Sequence, residues 1–316
     1  MNRHARARSR PLNMLTVSRD IRSSESEVAE LSRGRLVRSD RILPGTKATL
    51  VAFSGLTMLA FIALFVMAAQ TDRYFAWTIK PAVTAAFLGA AYGAGCVLVI
   101  LGVRSGRWAY VRTPYVTILI FTVVSLVATL LHLDRFHFGS TAVIARLAAW
   151  FWLGVYVLVP VAMMTMLLIQ EARREVGRPR RQPLPPHLAV PLGLQGAVLL
   201  VVGVVLFVAP TSARLIWPWA LTPLTARMVA AWLVAFGIAS VLILRQANLA
   251  EDGISAWAYA MLGALELVVA FRYPGTVRWS SPAAWLYVAM AVSIVVVAGH
   301  AITRTRGTAT SRTPKS

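Results

Sequence analysis

The chain has 316 residues, 58% of them hydrophobic and 14% charged, with a formal net charge of +20. Soluble domains average about 45–50% apolar and about 25% charged, so this composition excludes an ordinary soluble enzyme, a disordered chain and a free nucleic-acid-binding protein, whatever the basic balance suggests. The one cysteine, Cys96, excludes an internal disulfide and any multi-cysteine zinc or iron–sulfur site.

Residues 1–46 read as a basic, disordered cytoplasmic tail in which Arg alternates with Ser and acids, as in Ser23-Ser24-Glu25-Ser26-Glu27. Its arginines suit anionic lipid headgroups. The first apolar run begins near residue 48, so no cleavable signal peptide is apparent. Eight apolar stretches then follow, at 48–69, 81–103, 114–133, 147–169, 189–209, 223–244, 254–271 and 283–302. Each is near the roughly 20 residues that a helix needs to cross a hydrocarbon core of about 30 Å. Their apolar residues run all the way round, as lipid-embedded helices require. Barrel strands would show shorter segments of period two, and none is present. The expected fold is therefore all-α: a polytopic membrane bundle of eight transmembrane helices. It divides into a first half at 47–170, a basic Pro-rich linker at 171–188, a second half at 189–302 and a basic cytoplasmic tail at 303–316.

With the N-terminus placed in the cytoplasm, 24 of the 32 Lys and Arg residues fall on the cytoplasmic side. This bias puts both termini inside. Trp77, Trp217, Trp219 and Trp279 lie just beyond span ends on the outer side, where an interfacial aromatic belt is expected. Pro114 and Pro223 read as helix starts, Thr222 as the N-cap of the sixth helix, and Pro160 as a kink within the fourth.

A shift of 142 residues lays the chain on itself without a gap from the first helix into the second. Leu64-Phe65-Val66 meets Leu206-Phe207-Val208, Trp77 meets Trp219, Pro81 meets Pro223, Gly95 meets Gly237 and Val99 meets Val241. Four spans per half is an even number, so the halves form two parallel four-helix repeats.

An ionisable group within the bilayer is costly and marks a candidate site. Glu266 lies six residues before Arg272 in the seventh span, about 9 Å from its outer end. Arg227, four residues after Pro223, lies at comparable depth and is its candidate partner. The pair reads either as structural neutralisation or as a proton-coupling carboxylate with an anion-binding arginine. Arg146, at the start of the fourth span, reads as a snorkelling arginine. His132, Asp134 and His137 form an outer-face cluster with enough ligand types for a metal. Their H-x-D-x-x-H spacing matches no metal signature, and interfacial histidines flanked by Phe136 and Phe138 are the plainer reading. Gly89-Ala-Ala-Tyr-Gly93 allows close helix contact, within the chain or between copies. Walker, GxGxxG, GxSxG and HExxH motifs are all absent, and no cofactor is implied.

The segment Trp217-Pro-Trp-Ala-Leu-Thr-Pro-Leu-Thr-Ala-Arg227, continuing to Ala231-Trp232, resembles a segment of multi-span membrane proteins of actinobacteria to which no activity is attached. The resemblance covers about one span and its approach loop, and implies a bacterial inner membrane. Three function classes stay open: a non-catalytic structural or partner-binding membrane protein, a small-solute or ion transporter using Glu266 and Arg227, and an outer-face enzyme around His132, Asp134 and His137. The expected partners are the lipid bilayer, anionic headgroups at the basic segments, and a second copy or another membrane protein.

Overall fold

The structure is a computed structural model, and it describes residues 40–173, 184–246 and 253–310. The expected disordered tail, apart from its last residues, and most of the basic linker lie outside the described residues. Eight helices among the described residues are long and apolar enough to cross a membrane. They are α1 (Pro44–Val66), α2 (Ala82–Ser105), α3 (Trp108–Leu130), α4 (Val143–Ala172), α5 (Pro186–Val208), α6 (Pro223–Gln246), α7 (Gly253–Arg272) and α8 (Pro282–Thr310). The last five residues of α1, Ile62–Val66, widen into a π-turn. Sheet pairing among the described residues is limited to an isolated bridge between Arg41 and Arg107.

Burial sorts these helices into a centre and a periphery. Of the most apolar stretch of α2, 67% is buried, against 22% for α1, α4 and α8. The centre consists of α2, α3, α6 and α7, with α2 packed on α7 and α3 on α6, so each half reaches into the other. Outside them α1 lies on α2, α4 on α3, α5 on α6 and α8 on α7. Exchanging the two halves leaves this contact pattern unchanged. Lipid tails are as apolar as Leu, so such packing depends on close van der Waals contact at small residues. Gly89 shows the mechanism: a Cβ there would strike the backbone of Leu64 and Phe65 on α1. The GxxxG face of α2 is thus occupied within the chain.

The element boundaries keep the 142-residue spacing. Helices α1 and α5 begin at Pro44 and Pro186 and close at Val66 and Val208. Short 3-10 turns follow at Ala68–Gln70 and Pro210–Ser212, then one-turn helices at Thr71–Tyr74 and Ala213–Ile216. Helices α3 and α7 close at Leu130 and Arg272. The fourth helices, starting at Val143 and Pro282, differ by 139 because the second loop is three residues shorter.

Two sequence expectations are corrected. Pro114 does not start α3, which begins six residues earlier at Trp108. Distant acids hold that first turn: Asp40 accepts from the Ala109 N–H and Arg107, and Glu171 accepts from Trp108 Nε1 at 2.7 Å and Arg112 at 2.9 Å. Trp77, Trp217 and Trp219 do not form a lipid-facing belt; all three are buried at the bundle's corner end, the end opposite the start of α1 at Pro44. Trp279 alone of the four remains exposed. Thr222 does cap α6: its hydroxyl accepts from the Thr225 N–H, and Thr225 Oγ1 accepts from the Thr222 N–H. That is a reciprocal capping box.

Candidate functional site

The corner end of each half is a loop folded back into the bundle, and each corner is clamped by one side chain from the loop before the fourth helix. In the first half the His137 N–H donates to the Ala76 carbonyl at 2.9 Å, while its ring reaches the Phe75 carbonyl at 2.9 Å and the Thr78 hydroxyl at 3.0 Å. In the second half Arg278 does the same work. Its N–H donates to the Pro218 carbonyl at 2.9 Å and its guanidinium to the carbonyls of Trp217 and Arg214. Phe75 and Trp217 are 142 residues apart, as are Ala76 and Pro218.

The structure does not bring His132, Asp134 and His137 onto one centre. Asp134 sits at the surface with Arg135 at 2.8 Å, and His132 lies against Arg227. No group of three or more His, Cys, Asp or Glu side chains able to hold a metal occurs among the described residues.

Nor do Glu266 and Arg227 pair. Arg227 lies over the closing turn of α5, donating from Nε to the Phe207 carbonyl at 3.0 Å and from Nη1 to His132 Nε2 at 2.6 Å. A helix end leaves carbonyls without partners, and a cation there satisfies them and opposes the dipole. Arg272 performs the equivalent task on α1, donating to the Phe65 carbonyl at 2.7 Å. Arginine only donates, so His132 Nε2 accepts and its ring hydrogen rests on Nδ1. Burial first, and then the Arg227 guanidinium, hold the His132 pKa below the ordinary histidine range, with Asp134 opposing them. Arg146 is engaged by its own loop, reaching the Ser140 carbonyl.

Glu266 is buried in the second half, 5% exposed. Its partner is Tyr287 of α8, whose hydroxyl reaches Oε2 at 2.9 Å and the Glu266 carbonyl at 2.8 Å. Oε1 has no hydrogen-bond partner. A buried acceptor left in that state costs about 1–3 kcal/mol. Tyr287 was not legible as a partner, because it lies on a different helix and tyrosine is common near span ends.

Glu266 and Tyr287 line a cavity of about 90 Å³ between α5, the second corner, α6, α7 and α8, with Phe87 of α2 in its wall. A cavity of about 440 Å³ occupies the equivalent place in the first half, between α1, the first corner and α4. The walls correspond at the positions contributed by the first helix, the corner and the fourth helix of each half. Leu56, Thr57 and Ala60 on α1 match Val198, Leu199 and Val202 on α5, and Phe75 and Ala76 match Trp217 and Pro218. On the fourth helices Ile144, Leu147, Ala148 and Phe151 match Ala283, Leu286, Tyr287 and Met290. The second cavity is smaller in part because Tyr287 stands where the first half has Ala148. The polar lining of the first cavity includes Thr57, Thr122, Tyr74 and the hydroxyl pair Tyr92–Tyr156, 2.5 Å apart. Leu59, Ile144, Leu147 and Phe151 at its mouth are all more than half exposed, on the surface that meets the hydrocarbon. A third cavity of about 110 Å³ lies between the halves toward the basic end, lined by Tyr259 and Ser240, and shares Phe236 and Leu262 with the Glu266 cavity.

Eight long apolar helices with apolar outer surfaces define a multi-pass integral membrane protein. No family model matches the chain, and neither a curated protein nor a solved structure does.

Proposed function

We propose that the chain is a non-catalytic, partner-binding protein of a bacterial inner membrane, of actinobacterial type, whose partners are apolar molecules taken from the surrounding bilayer. Both termini are cytoplasmic on the Lys and Arg distribution, so the corners and their cavities lie in the outer leaflet. The matched boundaries and contact pattern support an origin by duplication of a four-helix unit, read as two parallel repeats. One observation carries the functional reading: matching positions on the first helix, the corner and the fourth helix line an apolar cavity in both halves. Apolar pockets with a few convergent polar groups are the usual form of small-ligand sites. The histidines of the outer face are engaged in holding a corner and a helix end, which favours binding over catalysis.

The test is native mass spectrometry of the protein released from mild detergent, comparing wild type with Ala148→Tyr, which copies the second half's Tyr287 into the first cavity. The reading expects a bound apolar adduct that is lost or weakened in the variant. Adduct-free wild type would refute it.

A second reading, passage of a small solute, has one observation behind it. The Glu266 and Tyr259 cavities meet at Phe236 and Leu262, as two vestibules either side of an apolar partition would. Flux into liposomes that rises in Phe236→Ala would favour it.

A further inference from the structure

Two buried polar atoms of opposite hydrogen-bonding character are left without partners at the Glu266 cavity. One is the acceptor Glu266 Oε1 and the other the donor Trp217 Nε1, and both side chains line the same space. Trp217 is 5% exposed and its ring is fixed edge-on against Phe87 at 5.2 Å and Trp219 at 5.4 Å. Glu266 is held by Tyr287 through Oε2, and Oε1 is an acceptor when the carboxyl is ionised or carries its proton on Oε2. Buried polar groups in folded proteins are almost always satisfied, so an unmatched donor and acceptor on two side chains that line one apolar cavity leave a place for a group that meets both.

We infer that this cavity binds the hydroxyl group of an apolar alcohol, which donates to Glu266 Oε1 and accepts from Trp217 Nε1. A hydroxyl is the smallest group that does both. An ether or ester cannot donate, and an alkylammonium cannot accept. A lone water has both functions too, but it would leave the apolar walls uncovered, and it predicts that neither alcohol nor ether stabilises the protein. The remaining walls here, including Phe87, Leu199, Leu233 and Ile294, are apolar and suit the carbon body of the ligand. Leu286, on α8, is half exposed at the rim and leaves a way in from the hydrocarbon between α5 and α8. The first half carries Phe75 and Val124 at the matching positions, so this chemistry belongs to the second cavity only. The inference rests on the proposal that the cavities hold apolar molecules.

The experiment measures thermal stabilisation of the purified protein by 1-dodecanol and by dodecyl methyl ether, which keeps the acceptor and loses the donor. Wild type is expected to bind the alcohol about fivefold more tightly than the ether, the weight of one neutral hydrogen bond. Glu266→Ala should abolish that preference. Trp217→Phe keeps the ring packing, and should weaken both probes about fivefold while leaving the preference in place. Equal affinity of wild type for the two probes overturns the hydroxyl assignment but leaves apolar binding standing. A preference that survives Glu266→Ala also overturns the assignment. Failure of both probes to stabilise wild type overturns the assignment together with the binding proposal.

Discussion

Replacing Arg227 with Met tests whether this arginine serves the end of α5 and His132 rather than Glu266. The variant loses two hydrogen bonds from a charged donor, at 3.0 Å to the Phe207 carbonyl and 2.6 Å to His132. Bonds to charged groups contribute about 1.5–3 kcal/mol each. The side chain is half-buried, so the lower end applies and the loss should be about 3 kcal/mol. His132→Ala, removing one of the two, should cost about 1.5 kcal/mol by the same measure. The double variant Arg227→Met/His132→Ala should fall short of the sum by about 1 kcal/mol or more, because the two share a bond. Arg227→Met/Glu266→Gln should be additive within about 0.5 kcal/mol, since those residues share no partner. Reversible unfolding in mixed micelles supplies all the values. A coupling of about 1 kcal/mol or more between Arg227 and Glu266 would refute this account of the arginine.

Three further predictions follow from the same geometry. His132 has its folded-state pKa below its unfolded value, so the unfolded chain binds a proton first as pH falls; stability should therefore decline from about pH 6.5 downward. His132→Gln should flatten that slope in an unfolding series between about pH 7.5 and 5.5. Gly89→Ala drives a methyl into the backbone of α1, which cannot turn aside as a side chain can, and should cost about 1–3 kcal/mol. Gly139→Ala, with open space around it, is the matched control and should unfold like wild type. Thr222→Ala opens the capping box of α6 and should cost about 1 kcal/mol by the same unfolding assay.

The spans were legible because a bilayer imposes length and uniform apolarity, and both are local properties of the chain. The 142-residue shift was legible for a related reason: Trp77, Pro81 and their counterparts are rare enough in membrane helices to be noticed. What escaped depended on distant residues. The first turn of α3 reads as loop until Asp40 and Glu171, far away in the chain, supply its hydrogen bonds. Trp217 and Trp219 have the chemistry of interfacial residues, yet the corner folds inward and Trp219 Nε1 donates to Thr84 on α2. Depth drew attention to Glu266 and Arg227, but depth along two helices says nothing of rotation about them. The guanidinium therefore faced the end of α5 and the carboxyl faced Tyr287. Cavities were beyond reach altogether, since each is a space whose walls include helices far apart in the chain.

The most direct measurement of the central claim is a cryo-electron microscopy map of the protein in native-lipid nanodiscs, inspected at the two corner-end cavities. The account predicts elongated density between α1 and α4 reaching toward the Tyr92–Tyr156 pair, and a second density against Glu266 and Trp217. Cavities closed by movement of α1 onto α4 and of α5 onto α8, with no density between them, would contradict it.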